Sequence, residues 1–340
     1  MKTRGFLVAA NWCWVRSLAA LAEHKRRGQF RQLRDVLPVH AARWDIVSLF
    51  VLMVLFTIAG AAVRAQTEFR AENESVRIKR SSERTAFSDA EIADGLFKIA
   101  FGSELSVAGG ANRVRKFDGP VRVFLDNRAH STRHADIVAV IGDIDSYVDH
   151  LDIGLTEDRK AANVVITLVR NRAELLRTMR SFYGRKRAGE IERRLQPRCL
   201  SGFGEDPQHR IRRAEVLLTD DGSDFSFLDC AYEELLQALG PINDDRSVPW
   251  SMFNDDVQMG FFDVYDQYIL NILYDPRVRP GMTRREVEII LPDILPEIRK
   301  WVSGANSARR LRAGNGAGPA LSRPLPDQFV VTRDTSKQSD

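Results

Sequence analysis

The chain has 340 residues, and 44% of them are hydrophobic, which is enough to form a sizeable core. Its 50 lysine and arginine residues nearly balance its 46 aspartate and glutamate residues, so the formal charge is only +4. The basic residues are scattered and lack interleaved aromatic residues, which argues against a nucleic-acid partner.

The N-terminal residues predict export. Residues 46–63 carry no charge and follow a basic leader, residues 1–45. This run is near the minimum for a membrane helix, which needs ~20 apolar residues. Because Val63 and Ala65 are small residues of the kind that signal peptidases recognise, residues 46–65 are either a cleaved signal peptide or a retained membrane anchor. A buried core helix is the alternative interpretation.

Export places the remaining chain in the periplasm or on the outer side of the inner membrane. Residues 46–63 would bind the membrane if they are not removed. The length of the basic leader leaves the true start codon open. The sequence predicts no other partner and no oligomeric state.

The rest of the chain reads as a linker, a globular domain and a tail. Residues 66–87 are polar and predict a linker, and the capping box Ser88-x-x-Glu91 predicts the first helix of a domain spanning residues 88–302. Strands are predicted at residues 121–125, 163–169 and 214–219, and helices at about 133–151, 171–182, 186–195, 224–239, 260–274 and from 283. Residues 303–340 are rich in small and basic residues and predict a disordered tail.

The predicted helix over residues 224–239 carries the most informative pattern. Apolar residues recur on one face, and Gly240-Pro241 is a stop signal; the apolar residues are Leu228, Ala231, Leu235, Ala238 and Leu239. Glu234 lies on the same face, where an unpaired buried charge costs several kcal/mol. Glu233 and Gln237 are four residues apart and therefore lie side by side.

Cysteine usage agrees with export. Outside the leader the only cysteines are Cys199 and Cys230, and an even number in an oxidising compartment favours a disulfide. Such a bond would close a loop of about 30 residues and stabilise the fold by roughly 3 kcal/mol. Two buried free thiols are the alternative.

Other polar clusters give weaker signals. His130 and His134 are four residues apart, but polar neighbours favour a solvated helix end over a metal site. Asn243, Asp244 and Asp245, together with Asp255 and Asp256, lack the regular ligand spacing of a calcium loop. The basic clusters at residues 185–187 and 193–194 predict a solvated helix face.

Several motifs together resemble a known family. They are Asp229-Cys230-Ala231-Tyr232-Glu233-Glu234-Leu235-Leu236-Gln237-Ala238-Leu239-Gly240, Asn243-Asp244, Ser251-Met252-Phe253-Asn254-Asp255, Leu273-Tyr274-Asp275-Pro276-Arg277 and Gly281-Met282-Thr283. Over about residues 88–302 the chain resembles the bacterial exported family catalogued as domain of unknown function 2927. More remotely, the layout is similar to the metzincin-like zinc peptidases.

The remote resemblance implies an α+β, zincin-like fold with a small mixed sheet packed on several helices and the motif helix after the third strand. It implies that Glu233 and Gln237 occupy the positions of the first two zinc ligands and that Asn243 or Asp244 occupies the third. Glu234 then takes the position of the general base, Gly240 that of the turn and Met252 that of the methionine turn below the metal. Zinc prefers imidazole and thiolate ligands, so these positions would hold it weakly.

The sequence therefore predicts an exported or membrane-anchored cell-envelope domain that is a non-catalytic zincin-like module without a cofactor. In this interpretation Glu234 is a buried structural carboxylate. The alternative is a peptidase-like hydrolase that uses Glu233 and Glu234 as acid and base, with or without a weakly held divalent metal.

Overall fold

The structure, a computed structural model, describes residues 72–102 and 112–314. These ranges contain five strands: β1 (Val121–Asn127), β2 (Ile153–Leu155), β3 (Val164–Val169), β4 (Leu200–Glu205) and β5 (Ile211–Thr219). They also contain seven helices: α1 (Glu74–Ser81), α2 (Asp89–Ile99), α3 (His134–Tyr147), α4 (Arg172–Leu195), α5 (Asp224–Ala238), α6 (Val264–Tyr274) and α7 (Arg284–Gly314). The predicted α+β fold class is confirmed.

The five strands form one mixed sheet in the order β2-β1-β3-β5-β4. The pairs β1–β2, β1–β3 and β3–β5 are parallel, and β4 pairs antiparallel to β5 at the edge. All six residues of β3 are buried, as its nearly continuous apolar sequence predicts for a central strand. The predicted positions of β1, β3 and β5 are confirmed.

Two strands were not predicted. β2 has three residues, and β4, with the sequence LSGFGE, contains two glycines and no clear apolar alternation. The motif helix α5 therefore follows the fifth strand along the chain and not the third, although β5 is the strand that the sequence placed directly before it.

The sheet separates two hydrophobic clusters. Ile166 and Leu168 of β3 belong to a large cluster that includes residues of α2, α3, α5, α6 and α7. Val169 belongs to a smaller cluster with Leu217 and the buried residues of α4. All buried members of both clusters lie between Val76 and Val302, so the described part of the chain carries a core of its own, as an independently folding domain requires.

The ends of the domain differ from the prediction. α1 lies inside the predicted linker 66–87, where Val76 is only 3% exposed and packs into the large cluster. α7 continues through Pro292 and Pro296, which were predicted as breaks, and runs into the predicted tail 303–340. Val76 gains its partners only from the tertiary fold, and the part of α7 after the two prolines is held by several buried residues, so the local sequence indicated neither helix end.

Side chains near the two ends hold α1 and α7 in place. Asn306 donates to Gln267 Oε1 at 2.7 Å, and Arg309 donates to the Tyr147 hydroxyl at 3.0 Å. Arg309 Nη2 also lies 4.0 Å from Glu72 Oε1, directly before α1.

The predicted leader 1–45, the predicted signal peptide or anchor 46–65 and residues 315–340 lie outside the described residues. In the ranges that the structure does describe, none of the helices combines the length and hydropathy that a membrane span requires.

Candidate functional site

The motif helix α5 starts and ends as its sequence predicts. Ser223 caps its first turn by accepting from the Ser226 amide. Its apolar face is buried, including Ala231, Leu235 and Ala238. Gly240 has φ 140°, and a Cβ there would lie 2.3 Å from the Arg115 carbonyl oxygen, so a glycine is required at this turn.

Glu234 is buried on the apolar face of α5, with 6% of the residue exposed. This confirms the predicted burial. The charge of Glu234 also affects the neighbouring phenol of Tyr183. Burial is the largest cause of the raised pKa of Tyr183, and the charges of Glu215 and Glu234 add to it. A buried carboxylate at the position of a general base is thus present, within a packed region of the fold.

Gln237, at the predicted second ligand position, is 7% exposed and connects three segments of the chain. Its amide Nε2 donates to Asp244 Oδ1 at 3.1 Å and to Oδ2 at 3.2 Å. Its Oε1 accepts from Ser201 Oγ of the edge strand β4 at 3.1 Å. The side chain thus holds the loop after α5 against both the helix and the sheet.

The structure distinguishes the two candidates for the third ligand position. Asn243 donates through Nδ2 to the Lys98 carbonyl oxygen at 2.8 Å, at the end of α2. Asp244 instead meets Gln237. Of the pair, only Asp244 joins the motif helix, so Asn243 serves to fasten the loop to α2.

Three carboxylates converge beside Gln237. Glu233, Asp244 and Asp255 each offer one oxygen within 4.8 Å of the others. Glu233 and Asp244 are half-buried and Asp255 is exposed. Asp255 was not predicted at this site, because its place depends on the fold of the loop over residues 243–255.

The three carboxylates of this cluster would bind a metal through oxygen atoms only. Zinc prefers imidazole and thiolate ligands, so this set does not fit zinc. Oxygen ligands suit a hard divalent cation, but such a cation lowers the pKa of a bound water less than zinc does. Within the described residues, Glu233, Asp244 and Asp255 form the one group of three or more side chains that could hold a metal. His130 and His134 do not belong to it.

The methionine turn is held from below by α6. Met252 is 3% exposed, and its amide donates to Asp266 Oδ2 at 2.8 Å. The Ser251 hydroxyl donates to Asp266 Oδ1 at 2.6 Å. The predicted turn is therefore buried, and Asp266 fixes its geometry. The sequence suggested no role for Asp266.

Asp266 belongs to a buried acidic pair. Asp263 caps α6, and its Oδ1 accepts from the Asp266 amide at 3.0 Å. Burial, and then the charge of Asp266, raises the pKa of Asp263 well above its usual range, while burial raises the pKa of Asp266 to about 6. Both carboxyl groups therefore hold a proton more tightly than an exposed aspartate does.

Glu83 adds a third carboxylate to this end of α6. Its Oε1 accepts from the Val264 amide at 2.6 Å. Burial, and then the charge of Asp263, raises the pKa of Glu83 to about 7, although Arg80 and Arg309 act in the opposite direction. Glu83 lies in the predicted linker and was not predicted to contact the domain.

The predicted disulfide is confirmed. Cys199 and Cys230 are bonded with their Cα atoms 5.9 Å apart and 31 residues apart in sequence. The bond joins the chain just before β4 to α5, one turn before Glu234. It therefore fixes the motif helix to the edge of the sheet that also supplies Ser201.

Comparison with known proteins gives a family but no activity. A family model described as "Protein of unknown function (DUF2927)" matches residues 89–293. A search of curated proteins finds no match.

Proposed function

Because the chain belongs to the DUF2927 family of proteins of unknown function, we propose its role from the geometry of α5: it is a non-catalytic, zincin-like domain of the bacterial cell envelope. The domain is exported and lies on the periplasmic or outer side of the inner membrane. In this proposal α5 organises the fold and carries out no hydrolysis.

The hydrogen bonds of Gln237 carry this proposal. In the remote metzincin resemblance, a metal at this point would join the motif helix to the third ligand. Here the amide of Gln237 joins α5 directly to Asp244, and through Ser201 to β4. A hydrogen bond between side chains thereby connects the helix to the loop that carries Asp244, and a second one adds the edge strand.

The donor set gives further support. Glu233 and Gln237 stand where two imidazoles would be expected, and neither provides the nitrogen ligand that zinc prefers. Met252 remains buried below the cluster, held by Asp266. A retained turn beside a changed ligand set is consistent with a scaffold that has kept its fold after losing its metal.

Metal analysis tests the non-catalytic role. Residues 66–340, secreted to the periplasm and purified without a histidine tag, should contain no stoichiometric divalent metal. Glu157→Ala, at an exposed glutamate, serves as the control for Glu233→Ala. A stoichiometric metal that Glu233→Ala removes and Glu157→Ala retains would contradict the proposal.

A second candidate is a hydrolase with a weakly held hard cation, which the convergence of Glu233, Asp244 and Asp255 favours. It predicts peptide hydrolysis that Glu234→Gln abolishes without loss of stability. Under the non-catalytic proposal, wild type and Glu234→Gln hydrolyse a peptide library equally poorly.

The location is tested separately. Alkaline phosphatase fused after residue 87 should be active, because that enzyme acquires its disulfides only outside the cytoplasm. An inactive but intact fusion would contradict export. Comparing the mass of the mature protein with the full sequence then decides between a cleaved signal peptide and a retained anchor.

A further inference from the structure

We propose that the outer face of α4 binds the anionic phospholipid headgroups of a membrane surface. The face consists of six exposed cations, Arg180, Arg185, Lys186, Arg187, Arg193 and Arg194, and is called the basic face below. The proposal rests on the location proposed above, and it does not depend on whether α5 is catalytic.

Positive charge is concentrated on α4. The helix contains eight lysine and arginine residues and three glutamates, a net charge of +5, whereas the whole chain carries +4. The other 316 residues therefore have a net charge of −1. The helix is thus strongly basic, as is the leader over residues 1–45, which carries nine basic and three acidic residues.

The carboxylates of α4 do not neutralise the basic face. Glu174 pairs with Arg170 at 2.5 Å, and Glu192 pairs with Arg172 at 2.6 Å. In the part of the chain that the structure describes, none of the six cations of the basic face lies within salt-bridge distance of a carboxylate. Their full charge therefore faces solvent.

Packing on the sheet fixes the orientation of this face. Leu175, Met179, Ala188 and Ile191 are buried in the smaller hydrophobic cluster, against the side of the sheet that α5 does not cover. Gly184, at φ 77°, bends α4 into two arms that both follow this side. The cations of both arms therefore point away from the sheet.

The partner is identified by the chemistry of the face. Phe182 and Tyr183 pack against the smaller cluster, so α4 presents no exposed ring on which a nucleic-acid base could stack. Cations without exposed aromatic or apolar residues suit a surface of negative headgroups, which attracts each lysine or arginine near it.

The sequence also places the domain close to a membrane. Only eight residues separate Val63, the last residue of the predicted membrane segment, from Glu72, where the described chain begins. Eight residues span at most about 29 Å when fully extended. A retained anchor would therefore keep the domain at a membrane surface, where anionic headgroups are present.

Vesicle binding tests the proposal with residues 66–340, which contain the core but not the predicted membrane segment. Flotation with vesicles of phosphatidylglycerol and phosphatidylcholine in equal parts is compared with flotation with pure phosphatidylcholine. We expect at least about tenfold tighter binding to the anionic vesicles, weakened by added sodium chloride. Equal binding to both vesicles, or binding insensitive to salt, would overturn the proposal.

A matched pair of variants locates the binding surface. Arg185→Gln/Lys186→Gln/Arg187→Gln should weaken binding by about tenfold or more. Arg285→Gln/Lys300→Gln/Arg310→Gln removes the same charge from exposed positions of α7 and should change binding by less than about twofold. Equal loss in both variants would overturn the assignment to α4.

Duplex DNA of matched charge serves as the competing ligand. If the protein binds DNA more tightly than anionic vesicles, and the α4 variant abolishes that binding, then the partner of the basic face is a nucleic acid and not a membrane. Failure of vesicle binding leaves the metal and localisation results unaffected, so failure of this proposal can be told apart from failure of the proposed function.

Discussion

Gln237 and Asp244 are joined by two hydrogen bonds from one amide nitrogen, at 3.1 and 3.2 Å. Seven residues apart, they connect the last turn of α5 with the loop that follows. This contact carries the proposed function, and it makes several properties of the domain testable.

Removal of the Gln237 amide should destabilise the domain. Gln237→Ala removes the acceptor of the buried Ser201 hydroxyl and one donor to Asp244, so we expect the free energy of unfolding to fall by about 1–3 kcal/mol. Gln258→Ala, at an exposed glutamine, should change it by less than about 0.5 kcal/mol. Urea denaturation measures both. Equal values would show that the bridge contributes nothing.

Restoring the imidazoles should restore zinc binding. Glu233→His/Gln237→His places two imidazoles one turn apart beside Asp244, and we expect roughly one zinc per chain. Metal analysis after dialysis provides the measurement, and Glu233→His alone is the control. A folded double variant without zinc would argue against the zincin-like layout.

The methionine turn should depend on Asp266. Asp266→Ala leaves the Ser251 hydroxyl and the Met252 amide without their acceptor in a buried region, which should cost about 2–4 kcal/mol of stability. Asp256→Ala, in the same loop but exposed, is the matched control. In thermal denaturation, Asp266→Ala should have a clearly lower melting temperature than Asp256→Ala. Similar melting temperatures would contradict this role of Asp266.

Glu83 should make stability depend on pH. Its pKa, about 7 in the folded protein, lies above the ordinary value of 4.5, so the folded state holds the proton more tightly than the unfolded state. Its contribution is fully present below about pH 4.5 and is lost as the pH rises through about 7.

Glu83→Gln should remove that dependence. The amide oxygen can still accept from Val264 and carries no buried charge, so the variant should be more stable than wild type at pH 8 by about 1–2 kcal/mol. The difference should vanish at pH 4. Urea denaturation at the two pH values is the measurement, and a constant difference would contradict the assigned pKa.

The disulfide should contribute about 3.7 kcal/mol, the loop-closure value for its 31-residue separation. Cys199→Ser/Cys230→Ser should lose this stability, and reduction of the wild type should lose the same amount. A loss after reduction that greatly exceeds the loss in the double variant would show that reduction damages the fold in another way.

Features that depend on local sequence were predictable. The stop at Gly240, the cap at Ser88 and the burial of Glu234 follow from residue type and helical spacing. The disulfide followed from cysteine number and the predicted compartment.

Features that depend on distant partners were not predictable. Ser201 lies on a glycine-containing edge strand whose pairing with β5 defines it as a strand. Glu83 is 181 residues from the Val264 amide that it caps. Nothing in the local sequence separates this glutamate from its exposed neighbours, so a polar segment read as a linker proved to be part of the domain.

The proximity of Glu72 to Arg309 also determines how the domain responds to mechanical force. Tension applied between residues 72 and 309 acts first on the contacts of α1 and α7 and reaches the sheet only afterwards, because these two residues meet in the folded domain, with Arg309 Nη2 4.0 Å from Glu72 Oε1. Under an optical trap the terminal helices should therefore peel away at low load, followed by a separate rupture of the sheet.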